Sequence, residues 1–182
     1  MKKLITILLL LNLNLHAAEK GLLHQWRFDQ AKNGTVPAKV GAPAKYSGSV
    51  NLEKKRDLSW LQLKDRDSRA WVTDDFNTVK VPQKSITVEA WVSPAHPMQW
   101  GGIAGVIQDN GDYERGFVLG CHKDNFYFGL ATSAQGKMNH LESGSAYETG
   151  KWYHVVALYD GRKASIWVNG KPEAQSDAPG GK

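Results

Sequence analysis

Hydrophobic and polar positions alternate with a period of two through much of this 182-residue chain. Ile86, Val88, Ala90 and Val92 share one parity, while Thr87, Glu89, Trp91 and Ser93 share the other. That pattern predicts a strand with one buried and one wetter face. Pro82 and Pro94 bracket it, since proline cannot donate to a sheet ladder. Leu22–Phe28, Leu58–Leu63, Ala70–Val72 and Ile103–Gln108 predict further strands, and Gly116–Cys121 with Phe126–Ala131 predicts a hairpin turning at His122–Asn125. Trp152–Tyr159 is the longest apolar candidate; Asp160-Gly161 turns it into Ala164–Val168, which stops at Asn169-Gly170. The stretches 31–49 and 144–150 are rich in turn residues and predict loops. No segment carries the 3.6-residue period of an amphipathic helix. Many short strands separated by Gly, Pro and Asx turns imply an all-β sandwich or barrel rather than alternating βαβ units.

The N-terminus follows a different pattern. Lys2 and Lys3 precede an apolar run from Leu4 to Leu11, and small residues follow at Ala17 and Ala18. A cationic start, an apolar middle and a small-residue exit predict a secretory signal peptide over residues 1–18, leaving 19–182 as one folded domain. The run is shorter than the roughly 20 apolar residues a membrane-spanning helix needs, so no membrane span is expected. Export to a secreted, periplasmic or extracellular location follows from that leader.

Charge changes the picture little. The formal net charge of +5 falls to +3 when Lys2 and Lys3 leave with the leader, and the remaining basic residues are interleaved with acids, as in Lys64-Asp65-Arg66-Asp67. A nucleic-acid partner calls for a concentrated basic stripe, which is absent. The single cysteine, Cys121, excludes an internal disulfide and sits in an apolar run, where burial as a small hydrophobe is expected.

Three segments, taken in order, also resemble a known family. Ser85–Pro94, Gly150–Gly161 and Ser165–Lys171 resemble the Trp-centred strands of laminin-G-like, concanavalin-A-like jelly-roll domains, and Trp26-Arg27-Phe28-Asp29 fits the opening strand. The match spans Gly21 to Lys171, and the Gln108–Gly116 segment is similar to a subset found in exported bacterial proteins. The resemblance implies a jelly-roll sandwich of two antiparallel sheets. The family's closing C-terminal segment is not recognisable after Lys171, so the sandwich is expected to lack its last strands and the chain to be a fragment of a longer protein. It further implies a non-catalytic module binding a glycan or another extracellular ligand, accessory to a larger protein. The alternative is a structural or adhesive spacer of an exported hydrolase, such as a phosphoesterase or glycosidase, whose catalytic part lies elsewhere.

The residues themselves offer little chemistry. Glycosidases of this architecture need two carboxylates flanking the scissile bond, whereas the Trp91 strand supplies only Glu89 on its polar side. No zinc-protease, nucleophile-elbow or phosphate-loop motif occurs, and the histidines lack metal-ligand spacing. No catalytic residue is expected. For ligand contact, Trp100 is the leading candidate, placed in a loop beside Gly101-Gly102; Glu89 and Trp167 are candidates from the polar parity of their strands. Trp91 belongs to the family pattern and reads as scaffold. Asp109, Asn110 and Asp112 gather hard oxygen donors that suit Ca²⁺. An Asn-Gly turn explains the same residues without metal, and turn statistics favour it.

Overall fold

The structure, a computed structural model, describes residues 5–8, 21–75, 78, 80–82, 84–131 and 136–177. The described residues form antiparallel strands, turns and short 3-10 segments, and among them no helix is long and apolar enough to cross a membrane. The chain divides into two compact units, Met1–Val81 and Pro82–Lys182.

The first unit is built from short strands. Residues 1–4 and 9–18 of the expected leader lie outside the described residues; the backbone of Ile5–Leu8 forms β1. Gln25–Trp26 (β2) pairs with Ala38–Val40 (β4), and Thr35–Val36 (β3) pairs with Ala44–Ser47 (β5), which pairs in turn with Arg69–Trp71 (β8). Val50–Lys55 (β6) pairs with Leu58–Leu63 (β7), and β1 pairs with the other edge of β7. The expected strand over Leu22–Phe28 is therefore only two residues long, and Phe28–Gln30 is a 3-10 turn. The expected loop over 31–49 instead holds three strands. They are two to four residues long, too short for alternation to show; Gly34 turns the chain into the first, Gly41 turns it between the second and third, and Gly48 turns it after the third, all at positive φ. Phe28, Val36, Ala44, Leu61 and Leu63 form the core of this unit, flanked by Trp26, Tyr46 and Val50.

The second unit contributes four strands to each of two antiparallel sheets, which pack as a sandwich. Ile86–Pro94 (β9), Tyr153–Tyr159 (β14), Lys163–Val168 (β15) and Lys171–Asp177 (β16) make one sheet, in the order β16-β15-β14-β9. Met98–Asp109 (β10), Glu114–Lys123 (β11), Asn125–Ala131 (β12) and Asn139–Glu142 (β13) make the other, in chain order. Strands β12 and β13 pack on β15, and β13 also on β16.

The alternation read from the sequence settles the faces. Ala90 and Val92, Val155 and Ala157, and Ala164 and Ile166 share the inner face of the first sheet, and all are buried. Leu119, Cys121, Phe126 and Phe128 share the inner face of the second and are likewise buried. The Cys121 thiol is fully enclosed, and burial pushes its pKa up to about 12.

Strand β16 was not expected after Asn169-Gly170. Its sequence, Lys-Pro-Glu-Ala-Gln-Ser-Asp, is polar because it lies at a sheet edge, and only Ala174 and Ser176 oppose the buried Ile166 and Ala164. A register shift between Ile166 and Trp167 accommodates Pro172.

Candidate functional site

Outward-pointing residues of the second sheet follow from its register. Gly102 lies opposite Gly120, and Gly105 opposite Val118; Gly120 faces Tyr127, and Tyr127 faces Glu142 on β13. His122 and His140 share that parity. The result is a face floored by glycine and walled by aromatic and imidazole rings. Two of the glycines are held by close neighbours: a Cβ on Gly120 would stand 2.5 Å from the Tyr127 ring and strike the Gly101 carbonyl, and one on Gly129 would stand 2.5 Å from the Met138 sulfur.

Trp100 joins this face from β10. Sequence reasoning placed it in a loop, but it lies within the strand, between Met98 and Gly101, where the register shifts. A second shift follows between Gly102 and Ala104. Gly101-Gly102, the signal that suggested a loop, marks these bulges. Trp100 is 50% exposed, the most exposed of the large hydrophobic residues described.

Its ring is held by three neighbours. Trp100 stacks on His122 with centroids 3.9 Å apart and planes 7° from parallel, meets Tyr127 edge-on at 5.2 Å, and lies tilted to His140 at 5.0 Å. His122 is in turn fixed by Glu142, whose Oε1 lies 2.6 Å from Nδ1. The His122 side chain is only 13% exposed, against 43% for Glu142. A carboxylate this close fixes the proton of the neutral imidazole on Nδ1 and leaves a lone pair on Nε2. Desolvation lowers the His140 pKa, opposed by the carboxylates of Glu114 and Glu142 and reinforced by His122. Burial, chiefly, pushes the Tyr127 hydroxyl up to about 12, so it remains a neutral phenol. Chemically the cluster is a pre-packed ring platform beside hydrogen-bond acceptors.

The other predicted contact residues lie elsewhere. Glu89 and Trp167 occupy the outward face of the first sheet with Trp91 and His154, so they form no common site with Trp100. There Trp91 stacks on His154 at 5.3 Å and 27°, and the His154 Nε2 lies 3.4 Å from Glu89 Oε2. Trp167 is 39% exposed, its indole N–H donating to Ser165 Oγ at 3.4 Å.

The acidic turn is closed by its own side chains. Asp109 Oδ1 accepts the Gly111 N–H and Asn110 Oδ1 accepts the Tyr113 N–H, both at 2.8 Å. These bonds support the Asx-turn reading. Among the described residues, no three His, Cys, Asp or Glu side chains come together as a metal-holding group.

Sequence reasoning found Trp100 but missed His122, Tyr127, His140 and Glu142. Once a hairpin turns at His122–Asn125, His122 and Tyr127 fall on one face, and that signal was present. The arrival of His140 and Glu142 depends on the register of β13, a short polar strand with no pattern of its own.

Comparison with known proteins agrees with this architecture. The model of the concanavalin A-like lectin/glucanases superfamily matches residues 67–182. Pappalysin-1 of Mus musculus and of Homo sapiens are each 25% identical over 109 residues, covering 54% of this chain and 7% of the relative. The match thus spans a small part of those relatives' length.

Proposed function

Because the chain belongs to the concanavalin A-like lectin/glucanases superfamily, we propose that it is an exported, non-catalytic module that binds carbohydrate on the Trp100 face. Domains of this family are typically non-catalytic binding modules. The observation that carries the reading is the half-exposed Trp100 indole, clamped by His122, Tyr127 and His140. A ring fixed before the ligand arrives loses little conformational freedom on binding, and its flat face suits the apolar face of a pyranose. The surrounding acceptors suit sugar hydroxyls. Export rests on the leader pattern of residues 1–18, and the accessory role on the small share of each relative that is matched.

That same small share favours a second reading, a structural or adhesive spacer with no small ligand. A glycan array probed with the chain and with Trp100→Ala separates the two. The binding reading expects retention on at least one glycan class and a loss of about tenfold or more in the variant. Retention on no glycan would leave the spacer.

A further inference from the structure

The charges around Trp100 narrow the class of sugar, and this inference rests on the reading that the Trp100 face is the binding site. Two carboxylates serve the face. Glu142 gives Oε1 to His122, and Glu114 gives Oε2 to the Met138 N–H, so each keeps a second oxygen as an acceptor. His122 turns its protonated nitrogen toward Glu142 and presents an acceptor at Nε2. The charged groups acting on His140 include the carboxylates of Glu114 and Glu142. The two carboxylates bring negative charge to this cluster. An electron-rich indole face beside carboxylates attracts cations.

We propose that the Trp100 face takes a cationic amino sugar, one with a free protonated amine, in preference to neutral or anionic glycans. The ammonium lies against the Trp100 ring and the Glu142 carboxylate, and the sugar hydroxyls donate to the remaining acceptors. Uronate or sulfate groups are repelled by the same carboxylates.

Isothermal titration of the full chain tests this with three tetrasaccharides: β-1,4-linked glucosamine, its fully N-acetylated form and a galacturonate. The chain's overall charge is positive, so non-specific attraction favours the galacturonate and works against the expected order. The expected result is glucosamine tightest, by about fivefold over the N-acetylated oligomer at neutral pH and low salt, the size of one half-exposed cation contact. Glu142→Gln keeps an acceptor for His122 and is expected to reduce the preference below about twofold, with folding checked by the melting curve. Galacturonate binding as tightly as glucosamine, or a preference unchanged in Glu142→Gln, overturns the charge inference alone. If no oligomer binds, or Trp100→Ala binds all three normally, the site itself is wrong.

Discussion

The second unit carries the same three side-chain types twice, once on each outward face, and the two copies differ in tightness. On β10–β13, Trp100, His122 and Glu142 stack at 3.9 Å and bond at 2.6 Å around a mostly buried imidazole. On β9 and β14, Trp91, His154 and Glu89 stack at 5.3 Å and meet at 3.4 Å, with the imidazole 30% exposed. Residue type alone does not separate them. The first group stands on glycines that let the rings sink toward the sheet; the second stands on β-branched and aliphatic neighbours such as Thr87, Val156 and Leu158. Depth, set by absent side chains, makes one group an ordered platform and leaves the other an ordinary wet sheet surface.

The largest effect that can break this comparison comes from filling the floor. Gly120→Ala places a methyl against the Tyr127 ring and the Gly101 carbonyl, and overpacking of this kind costs about 1–3 kcal/mol. Urea titration is expected to show that loss together with a fall in glycan binding. A neutral result would mean that glycine depth is not what orders the face.

Next in size is the pair of carboxylates. Glu142→Ala removes a short bond to a largely buried ring and is expected to cost about 1 kcal/mol. Glu89→Ala breaks a longer contact between exposed groups and should stay within about 0.5 kcal/mol. Equal costs in denaturant titrations would erase the distinction drawn here.

A smaller effect is expected with pH. Desolvation chiefly holds the His140 pKa below its ordinary value, so the unfolded chain takes up this proton more readily than the folded one. Stability from this residue is fully present above the ordinary pKa and is lost as pH falls through the folded value. The stability difference between the chain and His140→Asn should therefore shift in the variant's favour on going from about pH 7 to about pH 5. A difference that is flat over that range would contradict the shift.

The smallest expected effect concerns the acidic turn. With Asp109 and Asn110 already bonded inside it, the melting temperature should be the same in calcium and in chelator. A rise with calcium would support the cation reading of Asp109, Asn110 and Asp112.

What the sequence revealed divides along physical lines. The strand at Ile86–Val92 was legible because half-buried strands must alternate, and the hairpin at Gly116–Ala131 because the polar stretch His122–Asn125 interrupts two apolar runs. The strands between Thr35 and Ser47 were not, because two to four residues cannot display a period. Strand β16 escaped notice because an edge strand needs few apolar residues. Trp100 was legible as an exposed aromatic from its type and its glycine neighbours, yet its setting was misjudged: the glycines serve a bulged strand, not a loop. The partners of Trp100 come from three different strands, and only the register between those strands brings them together.

The enclosed Cys121 thiol has a consequence in time rather than in space. Facing Phe126 across the ladder and wholly sealed between the sheets, it meets a solvent reagent only when the layers part. Its rate of alkylation therefore counts opening events, a natural clock for how often the sandwich breathes. Under slow-labelling conditions, a sugar that grips the outer rings of β10–β13 should make that clock run slower, reporting occupancy from the opposite side of the sheet.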